Sequence, residues 1–518
     1  MLVFLSTTHG FAMSSTDTIR IAIPSYQTDI VKIESFDPAK INWTEEWNIC
    51  MNIYSRLISF DRDENIISGI ASKFYWVGND AYFEIRKDFK TVDGYTITPE
   101  DVAISLKRLI ILASNTDGKL GSYLRDAGQL DKITDDCEGI SFDQNKIIIK
   151  TKGKNSFLFK TITTADFSII PKKSLDLKTL KIINYRNTTG LYYFDSYSKD
   201  GHIILKTNKN HWQYSETIPQ VVELVPYIYG SKERVETVEE KFLKNKIDMI
   251  SRFSIPLEEL FKIKSKLDEK KIKNDLNQSN PVLLFFFGFT HKGFSLEKNL
   301  KFAILQDITS LMRKHQSYLE STKREVTDSS IFPFNGHGGL TPEMNKDYQE
   351  KKNAPINENI KKQTINIAVS TVSKPMFEKI MKGGHFDYNL IDYGSIKAFN
   401  DFPENDSKDK DAPHLFFSNQ DIMFEEDIGL LSYAFSISSF FHLKGKDADK
   451  WLDTFKIEQD TKKRMDMIKQ LHFDSLVSNT SIIPLYMSRA GSIGINGWKP
   501  DFPLYTADTL FWYIKKED

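Results

Sequence analysis

Two cysteines in a chain of 518 residues, Cys50 and Cys137, are too few for a disulfide scaffold, and neither sits in a CxxC pair or a metal-ligand spacing. Two free, buried thiols are the simpler reading; a disulfide between them is the alternative in an oxidising compartment. Charge of one sign is not in excess either. Lys plus Arg number 69 against 70 Asp plus Glu, a net charge of −1, which removes the electrostatic case for nucleic-acid binding. No apolar run reaches the 18 residues of a membrane-spanning helix. The motifs of common catalysts are missing: no GxSxG elbow, no GxxxxGK[ST] loop, no GxGxxG after a strand. Ten histidines include no HxH or HExxH pair. His337-Gly338-Gly339 has no nucleophile elbow to serve and reads as a turn. The chain reads as a non-enzyme with no cofactor and no metal.

What is present is the composition of a folded protein. Hydrophobic residues make up 40% and charged residues 27%, ordinary values for a globular chain. The length corresponds to about three domains. Aromatics reach 13%, with 37 Phe and 21 Tyr, enough for large cores and for an aromatic-lined cleft. The first residues, MLVFLSTTHGFA, have an apolar stretch and the small residues Gly10 and Ala12 of a secretory cleavage site, without a basic start. A truncated signal is favoured over a hydrophobic arm. No cysteine stands near the cleavage site, so no lipid anchor is expected there. The expected location is the periplasm, free rather than tethered.

Periodicity predicts alternating strands and helices, hence an α/β or mixed chain. Thr18 to Ile23 alternates as a strand. Thr44 to Leu57 has helical spacing behind a Thr cap, and Thr98-Pro99-Glu100-Asp101 opens a second helix. Short strands are expected at 146–150 and 203–206. Helical patterns occupy 232–247, 256–266, 297–313 and 448–476. The nine-residue run PVLLFFFGF, Pro281 to Phe289, suits a buried central strand. Residues 335–363 read as a surface excursion, and the run Glu404 to Asp411 as a solvated loop. Ile482 to Tyr486 reads as a strand interrupted by Pro484.

Five segments, in order, resemble the family-5 extracellular solute-binding proteins of ABC importers, the group of oligopeptide- and dipeptide-binding proteins. FDPAKINWTEEWNICMNIYSRLISFDRDENIISGIASKFYW (36–76) is similar to the family's "LDP" turn, helix ending "ly-E-gL" and following "G-lA-sW". FEIRKDFKTVDGYTITPEDVAISLKR (83–108) resembles "f-LRkd-kfsDGtp-TaeDv-fSlkR" and is the most specific match. TTGLYYFDSYSKDGHIILKTNKNHW (188–212), EEKFLKNKIDMISRFSIPLEELFKIKSKL (239–267) and IIPLYMSRAGSIGINGWKP (482–500) follow in family order. The resemblance runs from about 18 to 515, strong to 310, weak from 311 to 475 and moderate thereafter.

The resemblance implies a two-lobed periplasmic binding protein of type II, the large peptide-binding type, with two hinge crossings. Residues 1–17 would be the signal remnant and linker. Lobe one would hold 18–268 plus 485–518, with an extra subdomain at about 60–175, and lobe two 269–484. The implied function is capture of a peptide or oligopeptide between the lobes and delivery to membrane permease subunits, by a monomer. A non-peptide solute in the same fold, or a solute sensor acting on a signalling partner, are the alternatives. The family's carboxylate for a terminal amine lies in "gW-aDypdP-nfL"; HLFFSNQDIMFEEDIGLLSYAF (414–435) is the nearest segment and carries that role to Asp421. Asn419 replaces the family Trp, the Pro is missing, and two extra residues precede Leu430. Tyr123, Trp43 and Phe253 are further cleft candidates, each weighed against core packing. Phe286 and Phe287 on the apolar run are cleft candidates too, with core packing the default, and Tyr192 and Gly190 are expected to be structural.

Overall fold

The apolar run at 281–289 is the second half of a longer element. In the computed structural model Asn274–Phe289 is one 16-residue strand. It pairs antiparallel with a second long strand, Ile482–Ile495. Residues 18–25, 31–41, 44–112, 120, 124–125, 130–154, 158–228, 236–252, 254–327, 339–393, 412–421, 450–451, 454–455, 457–506 and 508–517 are described. Pro484 does not end its strand. It sits at a register shift opposite Phe285 and Phe286, where a residue without an N–H costs no ladder bond.

The two long strands form the middle of an 11-stranded sheet. On one side, Leu415–Asp421 pairs antiparallel with the 283–289 half of the first long strand, and Thr364–Val369 and Asp387–Asp392 extend the sheet in parallel. On the other side, Met249–Ile250 pairs with residues 493–494 of the second long strand. The sheet continues through Thr18–Ser25 and Val221–Ile228, both parallel, to the antiparallel Ile203–Thr207 and Tyr192–Tyr197. A separate four-stranded sheet comprises Ala71–Val77, Asp80–Ile85, Lys146–Lys150 and Ile140–Phe142.

Each part has its own core. One cluster runs from Leu284 to Met487 and holds Phe286 and Phe287, 2% and 0% exposed, in line with their expected core role. A second joins Ile19, Ile21, Ile53, Tyr192, Leu205 and Phe511; a third packs Val225, Leu260 and Ile493. A fourth fills the small sheet, from Leu57 to Ile169. Cys50 belongs to the second and Cys137 to the fourth, and both are free thiols.

The segments that carried the family resemblance hold one another in place. Asp37 of the FDP turn accepts from Ala39 N at 3.0 Å and from the buried Arg108 of SLKR at 2.6 Å. Thr98 and Asp101 cap the helix Pro99–Leu112 reciprocally. Gly190 N donates to Ile53 O at 3.0 Å, and Ser55 N to Thr189 Oγ1 at 2.9 Å. Asp248 takes a two-pronged bond from Arg20, at 2.8 Å from each nitrogen. The 335–363 stretch differs from its sequence reading: Thr341 caps a helix at Pro342–Asn353 that packs Tyr348 into the first core. Residues 335–338 and the loop 404–411 lie outside the described residues.

Gly190 is where the helix Thr44–Ile53 meets the strand entering at Tyr192, and a Cβ there would collide with the backbone of Asn52 and Ile53. Gly190→Ala is expected to cost about 1–3 kcal/mol, read as a lower urea midpoint. His211 is buried against Trp212, ring centroids 3.8 Å apart. Desolvation, then Arg56 and Arg86, pull its pKa down to about 3. Its unfolded value is near 6.5, so the unfolded chain takes up the proton first. The stabilisation is complete above about pH 6.5 and drains away as pH falls towards 3. At pH 5 this group alone is expected to remove about 2 kcal/mol, and urea titrations of His211→Gln at pH 7 and pH 5 should show that part of the loss abolished.

Candidate functional site

Between the two large cores the sheet is thin. Among the described residues Val282, Leu283 and Ala490, with Phe285 beside them, form a small buried cluster there. Register shifts on both sides of Pro281 break the ladder. Ser279 repairs the gap: its Oγ accepts from Ala490 N at 2.9 Å, and its carbonyl accepts from Arg489 Nη1 at 3.3 Å. Asn280 N donates to Leu504 O at 2.7 Å, which pins the segment 502–506 to the crossing.

Arg252, which follows the strand Met249–Ile250, organises that segment and is fully buried. Its Nη1 donates to Pro503 O at 2.7 Å and to Thr506 O. Its Nη2 donates to Asn277 Oδ1 at 2.5 Å, and its main-chain N–H to Thr509 Oγ1 at 3.0 Å. The guanidinium lies over the Phe502 ring at 5.1 Å. Desolvation draws its pKa down to about 9, so it is a cation at neutral pH. Asp508 feels the charge of both Arg252 and Arg56; desolvation raises its pKa, opposed by a hydrogen bond from Thr506, by the two arginines and by a hydrogen bond from Trp47. One fork therefore ties together the first strand of the crossing, the loop after residue 250 and the C-terminal segment.

The side chains next to the crossing that meet solvent include Leu504, 55% exposed, Asn280 and Asn419. Asn419 lies in register with Phe285, whose ring stacks on Tyr486 at 4.6 Å. The backbone of Asp421 lies opposite Leu283, so the family-like segment ends at the crossing; the Asp421 side chain is outside the described residues. Trp43, Tyr123 and Phe253 are also outside them, although the neighbours of Phe253, Arg252 and Ser254, are both fully buried. Sequence reading missed Arg252, Asn277 and Asp508. The only available signal was an arginine directly after the IDM strand, and burial of an arginine has no periodicity.

The segment before the helix of the 284–487 core also meets the edge of the small-sheet region, away from the crossing. Ile457 and Gln459 precede the helix Thr461–Phe473 of the 284–487 core. Gln459 Nε2 donates to Lys154 O, beyond the strand Lys146–Lys150 of the small sheet. A Cβ placed on Gly153 would lie 3.7 Å from the Ile457 Cβ. On the opposite flank Arg324 Nη1 meets Glu258 at 3.3 Å and its guanidinium lies 5.7 Å from the Tyr486 centroid.

None of these groups is arranged for reaction. The buried Ser55 Oγ and His211 Nε2 are 3.0 Å apart, a distance that suits a nucleophile and its base. However, His211 Nδ1 accepts from Gln213 N at 3.1 Å. The proton is thereby placed on Nε2, which donates to Ser55 and cannot take its proton. Among the described residues no group of three or more His, Cys, Asp or Glu is placed to hold a metal, and no helix is long and apolar enough to cross a membrane.

A sheet shared by two cores and crossed by two strands defines a two-lobed α/β binding-protein fold. Solved structures share it. Haemophilus influenzae OppA in complex with RPPGFSPFR superposes with a TM-score of 0.70 at 15% identity, covering 97% of this chain and 99% of that one. AgaA from A. tumefaciens in complex with agropinic acid gives 0.67 at 12% identity, covering 97% and 99%. Residues 65–306 match the family described as bacterial extracellular solute-binding proteins, family 5 Middle. The Escherichia coli periplasmic oligopeptide-binding protein OppA is 24% identical over 253 residues, 46% of this chain and 45% of that protein. The match thus spans about half the length of that relative. The chain is thus similar to the family-5 extracellular solute-binding proteins, through a family match over residues 65–306, just under half of its length.

Removing the fork at Arg252 strands the carbonyls of Pro503 and Thr506. Arg252→Ala is expected to lower stability by about 3 kcal/mol or more in denaturant titrations. Arg252→Lys should recover little of this, since an ammonium cannot reach Asn277 and the two carbonyls as a planar fork does.

Proposed function

We propose that this protein is the periplasmic solute-capturing component of an ABC importer: it closes two lobes around a small polar ligand, does no chemistry on it, and presents it as a monomer to membrane permease subunits. The observation that carries this reading is the crossing itself. Two well-packed cores are joined by two strands whose pairing shifts twice within a few residues, around Gln278–Leu283 and Ser488–Gly491, and once more at Phe285/Phe286. A sheet packed continuously from end to end would resist bending; one whose ladder is interrupted on both sides of a proline, beside three small buried side chains, concentrates bending there. We assign the turning points to those residues, some ten positions beyond the division expected at 268/269 and a few beyond that at 484/485. The four-stranded sheet, with the core from Leu57 to Ile169, is the extra subdomain of lobe one on this reading.

A peptide is the first choice of ligand. The similarity to oligopeptide-binding proteins and the position of Asp421 at the crossing support it. Asn419, exposed where the family pattern has Trp, favours a second reading, a non-peptide solute in the same cleft. Native mass spectrometry of the protein purified from cells separates the two. Co-released peptides of narrow length range support the first, a defined non-peptide compound the second, and an empty protein with no thermal shift in either ligand class overturns both. If a peptide amine is held, Asp421→Ala should weaken binding about 10-fold to 100-fold by calorimetry. N-acetylated peptides should bind the parent and the variant alike.

Closure is testable through the contact at 153 and 457. The Cβ separation of 3.7 Å fits a disulfide, and Cys50 and Cys137 are too buried to compete. The double variant Gly153→Cys, Ile457→Cys is expected to oxidise readily and trap bound ligand, slowing its exchange at least 10-fold until reductant is added. Unchanged exchange in the fully oxidised protein would sink capture by closure.

A further inference from the structure

The small four-stranded sheet has an open edge. Its outermost strand, Ala71–Val77, pairs on one side only, with Asp80–Ile85. A two-residue turn, Gly78-Asn79, joins the two, with Gly78 at φ +60°, so Val77 and Asp80 are a bonded pair. Bonded and non-bonded pairs alternate along an antiparallel ladder. Tyr75 with Tyr82 and Lys73 with Glu84 therefore exchange bonds, and the N–H and C=O of Phe74 and Trp76 point away from the sheet. Among the described residues these main-chain groups have no partner. The open stretch ends at Ser72, whose carbonyl accepts from Ser68 Oγ at 3.0 Å, and at the turn, where Lys154 N donates to Asn79 Oδ1 at 3.1 Å. Between them lie Lys73-Phe74-Tyr75-Trp76-Val77, centred on Tyr75.

Both faces of this stretch are apolar. On the outer face Tyr75 is 36% exposed and Val77 53%. Tyr75 stacks on Tyr82, ring centroids 5.6 Å apart, and Tyr82 is level with Ile148. On the inner face Phe74 and Trp76 both rest on Phe159, at 5.2 and 5.1 Å. Edges are normally blunted by charge, proline or a bulge. Here the bulge falls before Lys73, outside the open stretch, and Lys73 is its only charge. An antiparallel copy of the stretch, turned about a two-fold axis at Tyr75, meets it residue for residue. Phe74 and Trp76 of one copy face Trp76 and Phe74 of the other and exchange four hydrogen bonds. Tyr75 meets Tyr75. Lys73 meets Val77 rather than another lysine, and the residue beyond Val77 in that row is Asp80, so like charges do not stand opposite each other.

We propose that this edge pairs with a second copy of the chain, giving a two-fold dimer whose two small sheets join into one of eight strands. The self-complementary register selects a second copy as the occupant. Five residues a side fall well below the roughly 20–30 of a stable interface, so the pair is weak and the monomer prevails in dilute solution. The joining uses the small sheet and none of the residues at the crossing, so it does not depend on what the lobes capture.

The test uses the full-length protein. In sedimentation the weight-average mass is expected to rise by at least about 1.3-fold between about 5 and about 500 µM. Tyr75→Lys sets two ammonium groups against each other at the axis, and should hold the protein monomeric at both concentrations with its melting temperature unchanged. Tyr75→Phe should behave as the parent. Cysteine variants read the register. Position 75 meets itself in a non-bonded pair with Cα atoms about 4.5 Å apart, within the range for a disulfide. Tyr75→Cys should therefore cross-link on mild oxidation. Val77→Cys alone should not, but should do so when mixed with Lys73→Cys. Cys50 and Cys137 are buried and do not compete. Either a mass that stays constant up to about 500 µM or a Tyr75→Cys protein that stays uncross-linked at that concentration would overturn the proposal. A mass increase that survives in Tyr75→Lys, or Val77→Cys cross-linking as readily as Tyr75→Cys, would overturn the assigned edge and register.

Discussion

The antiparallel pairing of Asn274–Phe289 with Ile482–Ile495 is the constraint on which the rest depends. Every other strand of the large sheet is placed by its distance from that pair: 415–421 and its neighbours at one end, 249–250 and 18–25 at the other. Between the cores the pair contributes a smaller buried cluster, Val282, Leu283 and Ala490. The cores on either side bury whole aromatic side chains, each worth about 1.5–3 kcal/mol of transfer free energy, while the crossing buries three aliphatic residues and mends its ladder with Ser279. Strength at the ends and thinness in the middle are both properties of the same two strands.

Around the crossing the chain has concentrated polar clamps. Arg252 is held by carbonyls, an amide oxygen and an aromatic face rather than by a carboxylate of its own. This arrangement fixes the C-terminal segment without a salt bridge whose partners would each have to be desolvated. The buried Asp508 carboxyl feels the charge of both Arg252 and Arg56. The clamps lie at the edge of the crossing and tie the 502–509 segment to residues 252, 277 and 280.

How much of this could be read from the chain follows from which residues do what. The FDP turn, the Thr98 cap, SLKR and TTGLYY were all legible because each fixes a turn, a cap or a close approach with a residue type that chemistry restricts. Asp37 with Arg108, and Gly190 against Ile53, are such pairs. The long strands were read as shorter, because Pro281 and Pro484 look like breaks until pairing shows that each falls at a register shift. The helix at 342–353 was missed since its polar sequence buries little beyond Tyr348 and Lys352. Arg252, Asn277 and Asp508 gave no signal, because their roles arise from contacts between segments as many as 250 residues apart. Ligand choice was the least legible, since the 414–435 segment departs from the family pattern where it would matter.

The strand Thr18–Ser25 has a further consequence, for how the protein is made. It lies between partners at 221–228 and 249–250 and shares a sheet with residues 491–495. Its core is completed by Phe502, Phe511 and Ile514. The earliest part of the chain thus waits for the latest, and contacts across nearly the whole length must form before the first lobe closes. High sequence separation of this kind slows folding. A core that needs both the 18–25 strand and the 502–514 segment stays incomplete, and its apolar residues uncovered, until both segments have been made.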